Sequence, residues 1–203
     1  MKRKGKFYSD LVDDTTPIYM ASKSVMREVT GYSLTGGLLA SMTRKPPANP
    51  SDIVKRSNKI VILDDVENPT NVGSIFRSAA ALGADAVFLT TGSADPLYRR
   101  ASRVSMGAVF KVDWAYITSD DMALMRGEGF EISALTLADN SISLSDYNGK
   151  CDKRAIVLGN EDHGISKEVL NQCDTSIIIP MAHGVDSLNV AAASAVAFWE
   201  AFK

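Results

Sequence analysis

Three stretches of this 203-residue chain carry the residue types that ligand binding or catalysis needs, each where an apolar run gives way to a polar turn. The first is N-x-G-x-x-x-R, formed by Asn71, Gly73 and Arg77. If a helix begins near Asn71, Gly73 lets a ligand approach the exposed N–H groups of its first turn. Arg77 lies six residues after Asn71, within two turns, so both can point toward one mouth. The same pair also reads as a plain N-cap and a surface ion-pair donor. The second stretch is LGNEDHGIS, from Leu158 to Ser166. Gly159 and Gly164 around Glu161 suit a loop that wraps a ligand with its backbone while fixing one carboxylate, and Ser166 is placed to cap the KEVL helix. A turn followed by a helix cap would look much the same. The third is IIIPMAHGVDSLNVAAASAVAFWEAF: a strand ending at Pro180, a turn holding Gly184, then Ser187 and Asn189 at the start of an alanine-rich helix. Its alanines let the helix lie very close to whatever it packs on, with Ser187 as its N-cap, and a site at Ser187 and Asn189 is compatible with that packing. His163 has no second ligand at usable spacing, so no metal is expected.

The elements that must position these stretches are regular from residue 59 onward. KIVILDDV (59–66) is a continuous apolar run closed by acids, the pattern of a strand buried on both faces. Val72, Ile75, Phe76, Ala79, Ala80 and Leu82 then recur at helical spacing, with Gly83 placed to stop the helix. AVFLT (86–90) is a second strand, and PLYRRASRVSMGAVF (96–110) reads as a helix ending near Gly107. KVDWAY (111–116), FEISALTL (130–137), RAIVLG (154–159) and SIIIP (176–180) are further strands, and DDMALMRGEG a further helix. Strands alternating with helices predict an α/β domain with a mainly parallel sheet flanked by helices. Such sheets bind ligands at the carboxyl ends of their strands, which directs attention to loops 65–73, 159–166 and 180–188. Residues 1–58 lack this alternation, and RKPPANPSD (44–52) reads as a linker, so the expected division is 1–58 and 59–203.

Composition bounds the function. A hydrophobic fraction of 45%, a charged fraction of 23% and a mean hydropathy of -0.02 exclude a disordered or collagen-like chain. The longest nearly apolar run, Val190 to Trp199, is half of the roughly 20 residues a membrane span needs. The basic start MKRKGKFYSD has no apolar stretch behind it, unlike a secretory signal, and Cys151 and Cys173 form no C-x-x-C, so the cytoplasm is the expected compartment. The net charge of -2 hides a split, with 11 Lys/Arg against 5 Asp/Glu in residues 1–60 and 11 against 19 thereafter. A basic start on an acidic body suits either a solvated tail or a nucleic-acid arm.

Together the three stretches resemble the SpoU (TrmH-like) branch of the SPOUT RNA methyltransferases. Asn71, Gly73 and Arg77 match that family's first motif; Gly159, Glu161, Gly164 and Ser166 match its second, G-x-E-x-x-G-x-S. Ile179, Pro180, Met181, Ser187, Leu188, Asn189 and Val190 match its third, I-P-M followed by S-L-N-V. The resemblance covers residues 59–203, including LYRRASRVSMGAVFKV (97–112). It departs at Ala191, where many members have Ser, and at His183, in a variable turn position. Many relatives also carry an RNA-recognition domain of the ribosomal L30e type in front; residues 1–58 resemble only the tail of such a region, either a shortened form of it or a reduced recognition arm.

The resemblance implies methyl transfer from S-adenosylmethionine (AdoMet) to a ribose 2′-hydroxyl of RNA, ribosomal in preference to transfer RNA, by a homodimer with a C-terminal trefoil knot. The knot rests on the resemblance alone, since chains almost never thread loops. It implies cofactor contacts from Gly159, Asn160, Ile179, Met181 and Leu188, with Thr90 and Gly92 alongside. It implies a catalytic set of Arg77, Asn71, Glu161, Ser187 and Asn189, RNA contacts from Arg99, Arg100, Arg103 and the basic N-terminal residues, and no metal. Phe198, Trp199 and Phe202 are expected at the subunit interface. Two other classes fit less well. A nicotinamide oxidoreductase lacks its G-x-G-x-x-G, since the loop after the first strand is ENPTNVG. A non-catalytic RNA-binding module retaining the fold would not need Asn71, Arg77 and Glu161 together.

Overall fold

The computed structural model describes residues 12–34, 38–138, 140–148 and 151–202. It divides into two compact units, Met1–Lys45 and Pro46–Lys203. In the first, one helix, α1 (Lys23–Thr30), is capped by the Ser22 hydroxyl and closed by Gly31 at φ 74°, and it buries none of its residues.

The second unit is a seven-stranded sheet in which every pairing is parallel. In chain order its elements are α2 (Pro50–Arg56), β1 (Lys59–Leu63), α3 (Pro69–Ala81), β2 (Ala86–Leu89), α4 (Arg99–Val104), β3 (Asp113–Tyr116), α5 (Ser119–Gly127), β4 (Glu131–Leu135), β5 (Ile142–Ser143), β6 (Arg154–Leu158), α6 (Lys167–Leu170), β7 (Thr175–Ile178) and α7 (Val190–Ala201). The strand order is β3-β2-β1-β6-β4-β7-β5. The chain therefore steps outward from β1 through β2 to β3, then returns to the other side of β1.

Side chains alternate across the sheet, as strand geometry requires. Val61, Leu63, Val87, Leu89, Ile156 and Leu158 form one core with Phe76 of α3 and Phe198 of α7. Ile60, Ile62, Phe88, Ala155 and Val157 form a second with Met122 and Met125 of α5 and with Ile53 and Val54 of α2. Both faces are covered, which is why the strands read as unbroken apolar runs.

Three expectations shift. The boundary after residue 58 moves forward, because α2 buries Ile53 and Val54 completely against the sheet; Pro50 at its first turn had made it resemble linker. The segment 96–110 holds only the short helix α4, followed by a 3-10 turn at Ala108–Phe110. Phe198 and Phe202 are in the core of their own chain, stacked with ring centroids 5.5 Å apart; of the three aromatics expected at an interface only Trp199 is exposed. The C-terminus of α7 is tied to the sheet at two points, where Lys59 Nζ donates to Phe202 O at 2.5 Å and Arg154 Nη1 to Ala201 O at 2.7 Å. Cations there also complement the negative end of the helix dipole.

Candidate active site

A cavity of about 430 Å³ opens at the carboxyl ends of β4, β6 and β7. It lies outside the carboxyl ends of the strands, where open parallel sheets bind their ligands. Its size suits a small organic ligand. Of the residues expected at a cofactor site, Gly159, Asn160, Ile179, Met181 and Leu188 line it, as do Glu161, Ser187 and Asn189 of the catalytic set.

The loop after β6 is a closed turn. Asn160 and Gly164 exchange backbone bonds at 2.9 and 3.0 Å, while Asn160 Oδ1 accepts the N–H groups of Asp162 (2.8 Å) and His163 (3.1 Å). The crossing explains Gly159: a Cβ there would lie 2.4 Å from the Gly164 carbonyl carbon. Ser166 caps α6 as expected, accepting from Val169 N–H.

Three motif side chains from three elements meet at the cavity's edge. Asn189 Nδ2 donates to Asn71 Oδ1 at 3.3 Å, and Asn71 Nδ2 donates to Glu161 Oε1. Asn71 is buried, so this pairing fixes its amide and leaves the Glu161 carboxylate at the rim. Asn71 is not the cap of α3. That role falls to Asn68, whose side chain accepts from Thr70 N–H, with Pro69 at the first helical position. Likewise Asn189, not Ser187, caps α7, accepting from Ala191 N–H at 3.0 Å.

Other expectations are relocated. Gly73 serves packing rather than ligand approach: a Cβ there would lie 2.4 Å from Ala101 O of α4. Arg77 is exposed on α3 and outside the Asn71–Glu161–Asn189 group. Six residues of an ideal helix turn through about 600°, roughly 120° away from Asn71, so the two leave α3 on different sides. Arg99, Arg100 and Arg103 are exposed on α4, which packs on α3; the basic N-terminal residues before Val12 lie outside the described residues. Thr90 and Gly92 do not line the cavity. They follow β2, on the far side of β1 from β6, and contact Asp65 instead.

Sequence reasoning missed Leu135, Thr136 and Leu137, which form the cavity wall after β4. The carboxyl-end rule applied to every strand would have included them. Aliphatic walls with two acids at the rim, Glu161 and Asp162, fit a ligand having an apolar ring and positive charge. Among the described residues no group of three His, Cys, Asp or Glu could hold a metal, and no helix is long and apolar enough to cross a membrane.

The sequence model of the SpoU rRNA Methylase family matches residues 58–199, which contain all three stretches of the site. The chain belongs to this family. It is 37% identical over 203 residues to an uncharacterized tRNA/rRNA methyltransferase of Mycobacterium bovis, covering 98% of this chain and 70% of that one. It is 29% identical to the 23S rRNA (guanosine-2'-O-)-methyltransferase RlmB of Acinetobacter baylyi, covering 91% and 77%. The crystal structure of an AdoMet-bound rRNA methyltransferase from Sinorhizobium meliloti superposes with a TM-score of 0.72 at 31% identity, covering 77% of this chain. The chain spans 60% of the length of that neighbour.

Proposed function

We propose that this chain is an AdoMet-dependent RNA methyltransferase that acts on a ribose 2′-hydroxyl, in ribosomal rather than transfer RNA. The observation that carries the reading is the joining of Asn71, Glu161 and Asn189, one from each motif, at the edge of a ligand-sized cavity in a SpoU-family chain. Gly159, Ile179, Met181, Leu188 and the backbone of Asn160 hold AdoMet, which supplies a methyl group already activated by its sulfonium. The protein's task is alignment, which can contribute roughly 7–11 kcal/mol when the reacting atoms are held close.

Asn71 and Asn189 fix the Glu161 carboxylate, and Ser187 shapes the mouth beside them. The new bond joins the ribose oxygen to the methyl carbon as the methyl–sulfur bond breaks, and the hydroxyl proton leaves to water at the open rim. Arg77 is no general base, because a guanidinium holds its proton to a pH above about 12. It acts instead on the RNA, stabilising charge that develops on the 2′-oxygen while paired with a phosphate. Its exposure beside the arginines of α4 supports that role, with Arg99, Arg100 and Arg103 as further phosphate contacts. The active form is a homodimer; exposed Trp199 on α7 is consistent with an interface, and a monomer by sedimentation at micromolar concentration would refute it.

The test is transfer of labelled methyl from AdoMet to unmodified ribosomal and transfer RNA pools, followed by alkaline hydrolysis. Label in alkali-resistant dinucleotides establishes ribose methylation and identifies the pool; label in mononucleotides means base methylation. In the same assay Arg77→Ala should reduce transfer by about 10²-fold or more with AdoMet affinity nearly intact. Equal loss of both would remove Arg77 from the reaction.

A further inference from the structure

We infer that Asp64 and Asp65, the consecutive acids that close β1, clamp the 159–166 loop in the shape that grips AdoMet, which makes Asp64 and Asn160 positioning residues of the reaction. The inference rests on the cavity being the AdoMet site. β1 and β6 are neighbours, with Leu63 opposite Leu158 and Asp64 N–H donating to Leu158 O at 2.8 Å. The two acids that follow β1 therefore lie directly beside the loop that follows β6.

Each acid holds one end of that loop. Asp64 is only 2% exposed, and its Oδ2 accepts Ser166 N–H at 2.7 Å, at the loop's exit. The carbonyl of Asp65 accepts Asn160 Nδ2 at 2.8 Å, at its entrance. Between these points Asn160 Oδ1 gathers the Asp162 and His163 amides, so one side chain passes the position of β1 on to the turn. Asp65 is itself held in a left-handed conformation, φ 52°, uncommon for a residue with a side chain. Thr90 Oγ1 holds it there, accepting Asp65 N–H at 2.9 Å and donating to Asp65 Oδ1 at 2.8 Å. Gly92 leaves the room, since a Cβ there would lie 2.1 Å from that oxygen. Thr90 and Gly92 thus act on the cavity at one remove, through Asp65 and Asn160.

A buried carboxylate is a strong acceptor, and removing it leaves the Ser166 amide without a partner. The test measures AdoMet binding to the full chain by calorimetry, with amide hydrogen exchange followed in residues 159–166 and in β2. Asp64→Leu and Asn160→Ala should each weaken AdoMet binding at least about tenfold and speed exchange in the loop by a similar factor, with β2 unchanged. Asp64→Asn keeps an acceptor oxygen for Ser166 N–H and should stay within about threefold of wild type. Wild-type affinity in both Asp64→Leu and Asn160→Ala overturns the clamp, as does Asp64→Asn failing as badly as Asp64→Leu. Should Asp64→Leu fail to fold, Asn160→Ala carries the test, because its side chain is only half-buried. Ala193→Trp separates the two readings by filling the cavity away from the clamp. Retained affinity there overturns the cavity assignment and the clamp's purpose with it. Lost affinity there, beside wild-type affinity in the clamp variants, overturns the clamp alone.

Discussion

The loop at 159–166 and the segment at 180–189 face one cavity but are built in opposite ways. The first closes on itself through Asn160 and Gly164 and is held from β1 at both ends. The second leaves β7, turns through His183 (φ 57°) and Gly184 (φ 73°), and exposes every residue from Ala182 to Asn189. Its hydrogen bonds among the described residues are a turn from Val185 N–H to Ala182 O and, at its far end, those of Asn189 to Asn71 and to the first turn of α7. One wall is set by backbone crossing and buried acceptors, the other mainly by one residue at its far end, Asn189. A site that must release its product and admit a large polymer can use such a pair, because local opening is drawn from the less tightly held side.

The same substitution in each wall gives the sharpest contrast. Gly159→Ala drives a methyl group into the Gly164 backbone, and should cost about 3 kcal/mol or more and abolish AdoMet binding. Gly184→Ala meets nothing within 4 Å and suffers only from its left-handed backbone, about 1–2 kcal/mol. Thermal unfolding with and without AdoMet checks both, and equal losses would erase the distinction between the walls. Asn71→Ala, which cuts the hydrogen-bonded link from Asn189 to Glu161, should cost about 1–3 kcal/mol and lower methyl transfer more than AdoMet affinity, read by single-turnover transfer beside calorimetry. Loss of affinity alone would make Asn71 a cofactor contact.

The smallest effect lies outside both walls. Burial, reinforced by Asp174 and Asp64, pushes the Cys173 thiol up to about 12. Its folded value stands above the unfolded one of 9.0, so the folded chain holds this proton longer and stability falls as pH rises from about 9 toward 12. At pH 8 iodoacetamide should modify exposed Cys151 well before Cys173, as peptide mapping would report. Matching rates would mean that Cys173 opens to solvent.

How far the sequence reached depended on whether the information was local. The strands around Ile60, Val87 and Ile156 were legible because a run buried on both faces announces itself. So was the cap at Ser166, set by its own next turn. Gly73 was misread because a glycine in a first helical turn looks the same whether a ligand or Ala101 of a neighbouring helix approaches it. Thr90 and Gly92 were misplaced because strand order, which puts β1 between β2 and β6, is written in no single segment. Ser187 and Asn189 are both good caps two residues apart, and only the Asn71 contact tells which one turns toward the helix. Asp64 and Asp65 read as strand terminators because their partners lie about a hundred residues on.

Lys59 reaches 143 residues along the chain to hold the carbonyl of Phe202. During synthesis the first strand of the sheet must therefore wait for a partner made 143 residues later. The helix that carries Asn189 cannot be secured until its own end has left the ribosome. A nascent chain that has emerged only as far as Asn171 has six of its strands and two of its three motifs, yet no closed site. Closure of the cavity is thus deferred until the third motif and the helix behind it have emerged.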